Sequence, residues 1–316
     1  MDTPVLLLIF NRPNFTKLVL EAIQNSKPSR LYVAADGPRM ENQQDISLCA
    51  ETRALISNYY FEFPVITLFH EENLGCKKAV SSAIDWFFAQ ESEGIILEDD
   101  CLPHLDFFRF CEELLRKYRE DTRIMMVSGD NFFTGFQLDN SYYFSRMTHI
   151  WGWATWKRAW KHYNVNMELW PDFKAKNYLY HMFPKRKYWR GWEKLMDDTN
   201  SGIINTWDYQ WQFTCWIQGG LSIMPKVNLV TNIGTLDPTG THTNPLGSDE
   251  NGINCQPIDF PLIHPEFIIP DYHADDKMLG RIFNTNTIFP IPRGSLLKKL
   301  HHMFRKILMK CKYSIY

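Results

Sequence analysis

The sequence has no cysteine pattern that would hold the fold together covalently or through zinc. Its seven cysteines are odd in number and scattered, without a CxxC pair, which argues against a disulfide framework and a zinc site. Long hydrophobic runs are missing too, since the apolar stretch at residues 5–10 is too short for a signal peptide or a membrane span. We therefore expect a cytoplasmic protein.

A strong overall charge is also missing: the formal net charge is −2, which gives no general attraction to nucleic acid. The charge is uneven, however. Of the 34 Lys and Arg residues, seven lie in residues 293–316, which have no acidic residue, so residues 1–292 have 27 basic against 36 acidic residues. Within that tail, apolar residues at helical spacing over 296–309 predict an amphipathic helix with a basic face. Such a helix suits either an anionic membrane surface or the acidic body of the protein, and the sequence leaves both open.

What the chain does have is enough apolar and aromatic side chain for a large core. Of its 316 residues, 45% are hydrophobic and 15% are aromatic, and ten of the 11 tryptophans lie between Trp151 and Trp216. There are no repeats and no low-complexity linker. We predict one domain with a first half at residues 1–130, a Trp-rich second half at 131–292 and the basic tail at 293–316.

Strands and helices alternate in the first third of the sequence. Apolar runs at residues 5–10, 31–35, 65–69 and 95–97 predict buried strands, and segments of helical periodicity separate them. This alternation predicts an α/β fold with a mostly parallel sheet flanked by helices. Ligands of such folds bind beyond the carboxyl ends of the strands. Polar residues follow four of the predicted strands, namely Arg12, Asp36, Asn73 and Glu98 to Asp100.

The most informative motif is Glu98-Asp99-Asp100 at the end of a buried strand. Three carboxylates at such a position are costly unless a positive partner compensates them. A divalent cation with oxygen ligands is the simplest partner, and we predict Asp100 as its ligand. The alternative is capping of the helix that follows, because acidic residues stabilise a helix N-terminus.

The three earlier strand ends carry candidate nucleotide contacts. The Arg12 guanidinium is suited to a phosphate, and Asp36 to a base or ribose. Asn73 and Lys77, at the start of a helix, are suited to a diphosphate. Each has a simpler alternative: a surface arginine, a turn-forming aspartate in Asp-Gly-Pro, and an ordinary capped helix with a solvated lysine.

Aromatic motifs in the second half indicate a carbohydrate site and a base. Trp151, Trp153 and Trp207 offer planes on which sugar rings stack, although core packing is a serious alternative. Asp208 lies among aromatic residues whose desolvation would raise its pKa and suit it to general-base catalysis, or it caps a helix. In the Gly-, Pro- and Thr-rich segment 235–259, His242 is a candidate metal ligand or a solvated loop residue.

The order of these motifs resembles the GT-A-fold glycosyltransferases, over about residues 4–245. It is similar in particular to the N-acetylglucosaminyltransferase I type, which has Glu-Asp-Asp where most relatives have Asp-X-Asp, and to bacterial surface-polysaccharide sugar transferases. The resemblance implies a Rossmann-like GT-A sheet, with a nucleotide-sugar-binding half at residues 1–130 and an acceptor-binding and catalytic half at 131–292. It also implies inverting transfer from a nucleotide sugar, usually a UDP-sugar such as UDP-GlcNAc, to a glycan or lipid-linked acceptor, with Mn²⁺ or Mg²⁺ as the cofactor.

By position, the resemblance assigns roles to individual residues. Arg12 matches the phosphate contact and Asp36 the uracil contact. Glu98 and Asp99 match contacts to the donor sugar and ribose, Asp100 matches the metal ligand, and Asp208 matches the catalytic base. The family usually has two adjacent acids at the base position, whereas Tyr209 follows Asp208 here. The base assignment therefore stays open to Asp197 or Asp198.

Two other functions remain as alternatives to glycosyl transfer. The first is a nucleotidyltransferase that makes nucleotide sugars. It would normally have a Gly-rich basic loop after the first strand, and Asn11-Arg12-Pro13 is not such a loop. The second is a non-catalytic carbohydrate-binding protein, which the tryptophans fit and the three clustered carboxylates do not.

Overall fold

The computed structural model describes residues 1–133, 138–236 and 254–284. Eight of its strands form one mixed sheet with helices on both faces, and two short strands that are distant in sequence form a separate antiparallel pair. The strands, in chain order, are β1 (Val5–Ile9), β2 (Leu31–Ala35), β3 (Val65–Phe69), β4 (Glu93–Glu98), β5 (Cys101–Pro103), β6 (Ile124–Ser128), β7 (Tyr142–Ser145), β8 (Trp153–Trp156), β9 (Leu221–Pro225) and β10 (Val230–Asn232).

Ten α-helices lie within the described residues. They are α1 (Pro13–Ser26), α2 (Gln43–Asn58), α3 (Cys76–Gln90), α4 (Leu105–Lys117), α5 (Lys157–Trp160), α6 (Trp170–Ala175), α7 (Tyr178–Met182), α8 (Arg186–Asn200), α9 (Asp208–Ile217) and α10 (Tyr272–Asn284). A short 3-10 turn at Ile233–Leu236 follows β10. A predicted helix at 296–309 lies outside the described residues, and so does His242.

The sheet has the order β3-β2-β1-β4-β8-β6-β9-β7. Strands β3, β2, β1 and β4 are parallel to one another, and β6 is parallel to β9. Strand β8 is antiparallel to both β4 and β6, and β7 is an antiparallel edge strand. The predicted fold class, an α/β fold with a mostly parallel, Rossmann-like sheet flanked by helices, is confirmed. The pairing of β4 with β8 joins residues of the 1–130 half to residues of the 131–292 half in one continuous sheet.

The buried strands explain why the apolar runs have no polar alternation. All five residues of β1 are buried. Val5, Leu7 and Ile9 belong to the cluster on one face, which includes Val19 and Ile23 of α1. The intervening residues of β1 belong to the cluster on the other face, with α3. Because side chains alternate across a strand, a strand covered by helices on both faces must be apolar throughout.

A third cluster lies away from the sheet and is built from short helices. Its buried side chains include Trp170, Trp192 and Phe213, which come from α6, α8 and α9. Helix α10 packs against α8, where a side chain at Gly191 would overlap the ring of Phe283. This helical region therefore holds α9, and with it Asp208, against the sheet.

Two findings bear on the environment of the protein. No helix among the described residues is long and apolar enough to cross a membrane. The six cysteines in the described residues are all free.

Candidate active site

The candidate site lies where the strand order of the parallel half reverses. β1 has β2 on one side and β4 on the other, so the connections after β1 and after β4 diverge and leave a crevice at their carboxyl ends. Arg12 follows β1, and Asp99 and Asp100 follow β4. The Arg12 guanidinium donates to Asp100 Oδ2 over 2.6 Å and to Asp99 Oδ1 over 3.4 Å. The structure thus brings together three residues that the sequence places 87 and 88 positions apart.

Asp99, after β4, is hydrogen-bonded to the residues that follow β1 and so links the ends of these two strands. Its side chain is almost fully buried, and its Oδ2 accepts a hydrogen bond of 3.2 Å from the backbone N–H of Phe10. Burial is the main cause that raises the pKa of Asp99 to about 7, the charge of Asp100 raises it further, and Arg12 acts in the opposite direction.

Glu98 ends β4 and is the centre of an excess of negative charge. Burial raises the pKa of Glu98 to about 8, and the charges of Asp100, Asp99 and Asp208 add to the effect. The positive charge of Arg12 acts in the opposite direction and lowers the pKa of Glu98. Four carboxyl groups around one guanidinium favour binding of a further cation.

Asp208 lies close enough to the end of β4 for its charge to act on Glu98. It is the first residue of α9, and the hydroxyl of Thr206 donates to its Oδ1, which fixes the direction of the carboxylate. Its negative charge raises the pKa of Glu98 and of Cys76, which opens α3. The site therefore contains the end of β4, the start of α3 and the start of α9.

The two alternative bases have other partners. Asp197 accepts from Trp170 Nε1 over 3.0 Å and pairs with Lys174 over 2.6 Å. Asp198 pairs with Lys194 on the same helix over 2.6 Å. Both lie on α8, and of these three acids Asp208 is the one whose charge raises the pKa of Glu98.

Asp36 and Asn73 are in contact, and together they shape a loop. The Asp36 carboxylate accepts from the backbone N–H groups of Gly37, Leu74 and Gly75 and from Asn73 Nδ2, at 2.8 to 3.1 Å. A carboxylate has about four acceptor positions, so these bonds occupy it in this conformation. The turn-forming role that the sequence offered as the simpler alternative is the one observed here. The loop leads into α3, whose first turn contains the half-buried Lys77.

The three tryptophans predicted to stack on a sugar differ in exposure: two are buried and one is half-buried. The predicted stacking surface is therefore wrong for the two buried ones. Trp153 and Trp207 are 1% and 2% exposed. Their rings stack on each other at 5.6 Å, and Trp160 and Trp211 pack around them. Their faces are therefore occupied by other indoles, and they form core behind the site. Trp151 is half-buried and remains the one of the three with an accessible part.

The donor chemistry of the site suits a divalent cation, although its protein ligands are few. The clustered carboxylates are hard oxygen donors. No group of three His, Cys, Asp or Glu residues placed to hold a metal occurs within residues 1–133, 138–236 and 254–284. Magnesium-type sites on nucleotides, however, commonly use one or two carboxylates and complete the shell with phosphate oxygens and water. Asp100, with Asp99 behind it, fits that pattern.

Gly234 is a site residue that the sequence did not indicate. The Ile233–Leu236 turn lies directly over Asp100, whose backbone carbonyl accepts from the N–H of Ile233 over 2.8 Å. A Cβ at Gly234 would overlap the Asp100 carboxylate. A lone glycine in a loop gives no sequence signal for such an approach, because the contact depends on how β10 pairs with β5.

Asp130 is a second residue that the sequence analysis passed over. It follows β6 at the same edge of the sheet, is fully buried, and its Oδ2 accepts from the N–H of Trp151 over 2.9 Å. Its Oδ1 has no hydrogen-bond partner in the described part of the chain. Burial raises the pKa of Asp130 well above its usual range, and burial lowers the pKa of the neighbouring His149 to about 3. A carboxylate directly after a buried strand was the available signal.

Comparison with known proteins gives no family assignment. No protein-family model and no curated protein matches the chain. Among solved structures, HddC from Yersinia pseudotuberculosis covers 50% of this chain and 78% of its own, with 12% identity and a TM-score of 0.31. Its complex with GMP-PN covers 49% and 77%, with 11% identity and the same TM-score of 0.31. The 4-diphosphocytidyl-2C-methyl-D-erythritol synthase of Anaerococcus prevotii covers 58% and 85%, with 10% identity and a TM-score of 0.30. Similarity at this level decides neither substrate nor reaction.

Proposed function

We propose that the protein is an inverting, metal-dependent glycosyltransferase that moves a sugar from a nucleotide sugar, such as a UDP-sugar, to an acceptor hydroxyl. The observation that supports this proposal most is that Asp208 lies close enough to the acidic end of β4 for its charge to act on Glu98. Asp208 perturbs the pKa of Glu98 and is aimed by Thr206. The end of β4 thus suits a cation and a diphosphate, and Asp208 near it presents a base.

In the proposed reaction, Asp208 takes a proton from the acceptor hydroxyl while that oxygen attacks the anomeric carbon. Attack from the side opposite the leaving diphosphate inverts the anomeric centre in a single displacement. The hydrogen bond from Thr206 holds the Asp208 carboxylate in a fixed orientation. When bound, a divalent cation at Asp100 supplies positive charge to the departing diphosphate. Arg12, which already lies 2.6 Å from Asp100, donates to a phosphate oxygen from the β1 side.

The variant Asp208→Asn tests the base assignment. Removal of a general base typically lowers the rate by about 10²- to 10⁴-fold. Donor binding should be retained, because the asparagine keeps the size of the side chain and the hydrogen bond from Thr206. Asp198→Asn, whose carboxylate pairs with Lys194 on α8, is the matched control and should turn over like the wild type. Unchanged turnover by Asp208→Asn would remove the base from the proposal.

Nucleotidyl transfer to a sugar phosphate is the second candidate function. The names of the three solved structures are closer to this class than to glycosyl transfer, although their TM-scores are too low to support an assignment. Against it, three residues that include no glycine, Phe10 to Arg12, join β1 to α1. A nucleotidyltransferase would normally bind its triphosphate with a Gly-rich loop at this place.

One assay separates the candidates by their products. The protein is incubated with Mn²⁺ and a panel of nucleotide sugars, or with nucleoside triphosphates and sugar 1-phosphates. A glycosyltransferase releases a nucleoside diphosphate from a nucleotide sugar, also by slow hydrolysis when no acceptor is present. A nucleotidyltransferase releases pyrophosphate from a triphosphate. A carbohydrate-binding protein without activity releases neither, and this result would reject both enzymatic proposals.

The acceptor belongs to the same proposal. We infer a hydroxyl of a glycan or a lipid-linked sugar in surface-polysaccharide synthesis. Trp151, half-buried beside Asp130, is the proposed stacking residue. His242 remains a proposed second contact to the metal or diphosphate.

A further inference from the structure

One surface of the described protein combines exposed cations with exposed aromatic rings. Residues 173–192 contain six Lys or Arg residues and no acidic residue. We define the α7–α8 surface as the exposed or partly exposed part of this segment, made of Tyr178, Tyr180, Lys185, Arg186, Lys187, Trp189 and Arg190.

The aromatic and cationic side chains of this surface are interleaved. The ring centroids of Tyr180 and Trp189 are 6.3 Å apart in an edge-on arrangement. The Arg190 guanidinium lies 4.3 Å from the centre of the Trp189 ring. Tyr178 and Tyr180 are 46% and 55% exposed. Large aromatic rings that stay exposed beside cations indicate a binding surface, because a chain that folds without a partner gains free energy by burying such rings.

The carboxylates near this surface compensate only part of its charge. Lys185 pairs with Asp276 of α10 over 2.6 Å, and Arg190 pairs with Glu193 over 3.1 Å. The side chains of Lys185 and Arg190 are still 54% and 56% exposed. Arg186 has no carboxylate within salt-bridge distance among residues 1–133, 138–236 and 254–284.

We propose that the α7–α8 surface binds the anionic headgroup layer of a phospholipid bilayer. Tyr and Trp side chains prefer the membrane–water interface, and Lys and Arg beside them are attracted to anionic lipids. A long soluble polyanion fits less well. Residues 1–292 carry nine more acidic than basic residues, so the parts of a polyanion that extend beyond the α7–α8 surface would be repelled. A flat bilayer touches the basic face alone. This proposal does not depend on the proposed enzymatic function.

Sedimentation of the full-length protein with lipid vesicles tests the proposal. The vesicles contain phosphatidylcholine alone or with about 30% phosphatidylglycerol, a content that gives a negative surface potential. The surface variant is Arg186→Glu/Lys187→Glu/Arg190→Glu. The matched control is Lys17→Glu/Arg116→Glu/Lys157→Glu, which makes the same charge change on exposed positions of α1, α4 and α5.

We expect the wild type to bind the anionic vesicles and not the neutral ones. The surface variant should lose at least about tenfold in partition coefficient, because each basic residue near the surface contributes to the attraction. The control should stay within about threefold of the wild type. Arg186→Glu alone should lower the partition about fivefold, and this single change serves if the triple variant does not fold.

Three results would overturn the proposal. The first is wild-type protein that does not bind anionic vesicles, including the case in which it is retained only by a soluble polyanion such as heparin. The second is an equal loss of binding in the surface and control variants. The third is full binding by the surface variant, which would place the membrane contact in the tail alone.

Discussion

The guanidinium of Arg12 and the carboxylate of Asp100 form an ion pair of 2.6 Å between the ends of β1 and β4. The Arg12 side chain is 23% exposed and that of Asp100 is 16% exposed, so solvent screens the pair only in part. Arg12 thus occupies a position where the proposed diphosphate and its cation would bind. Binding of the diphosphate or of the cation should therefore separate Arg12 from Asp100 and give each of them a new partner.

Arg12→Met should destabilise the protein and make it respond to manganese. Loss of the guanidinium leaves Asp99 and Asp100 without their positive partner, which we expect to cost about 1–3 kcal/mol in the free energy of unfolding. Mn²⁺ should then raise the Tm of the variant more than that of the wild type, since the ion takes the vacated place. Thermal unfolding with Mn²⁺ or EDTA measures this, with Arg116→Met as the control. Equal Mn²⁺ shifts in both proteins would contradict the prediction.

Gly234→Ala should weaken nucleotide binding and also cost stability, because it displaces the carboxylate that pairs with Arg12. The new Cβ would overlap the Asp100 carboxylate and push it out of position. We expect at least about a tenfold loss of nucleotide affinity, because displaced polar groups lose much of their binding geometry.

Gly202→Ala provides the opposite case for comparison. Gly202 has a φ of +79° and no atom within 4 Å of an added Cβ. Alanine there should cost about 1 kcal/mol in stability through the left-handed backbone and leave nucleotide affinity unchanged. If both variants changed affinity alike, the contact of the Ile233–Leu236 turn with Asp100 would not matter for binding.

Asp208→Asn should speed up alkylation of Cys76. Cys76 is exposed at the start of α3, yet desolvation by the surrounding protein, followed by the charges of Glu98, Asp208 and Asp36, raises the pKa of its thiol to about 12. At pH 8, four units below that pKa, only about one thiol in ten thousand is the reactive thiolate. Removal of the Asp208 charge favours the thiolate, so the rate should rise about two- to tenfold.

Peptide mass spectrometry after timed iodoacetamide treatment measures the Cys76 rate separately from the other cysteines. Asp198→Asn is the control, because Asp198 pairs with Lys194 on α8. The same Cys76 rate in wild type and Asp208→Asn would mean that Asp208 does not face the start of α3.

The sequence predicts the first half of the fold well because buried parallel strands leave a strong pattern. Four apolar runs each followed by a polar strand end are enough to predict β1 to β4 and the edge at which Arg12 and Asp100 meet. The strands β5 and β7 to β10 were not predicted. They are short, and aromatic residues in β8 have the composition of a carbohydrate-binding surface as much as of a strand.

The candidate site was predictable only in its charged members. Runs of carboxylates and an arginine after strands indicate chemistry directly, whereas burial of Trp153 and contact of Gly234 with Asp100 depend on long-range packing. Asp36 shows a second limit. Its position at a strand end is correctly predicted, but the four hydrogen bonds that fix it in the loop come from residues whose approach the sequence does not specify.

The central claim is that the acidic end of β4 binds a nucleoside diphosphate through a divalent cation held by Asp100. Calorimetric titration of UDP, GDP and CDP into the protein, with Mn²⁺ or with EDTA, tests it most directly. For the preferred nucleotide, we predict that Mn²⁺ lowers the Kd of the wild type at least about tenfold, and of Asp100→Asn less than about threefold. Asp198→Asn should behave like the wild type. A wild-type Kd that is the same with Mn²⁺ and with EDTA would contradict the account.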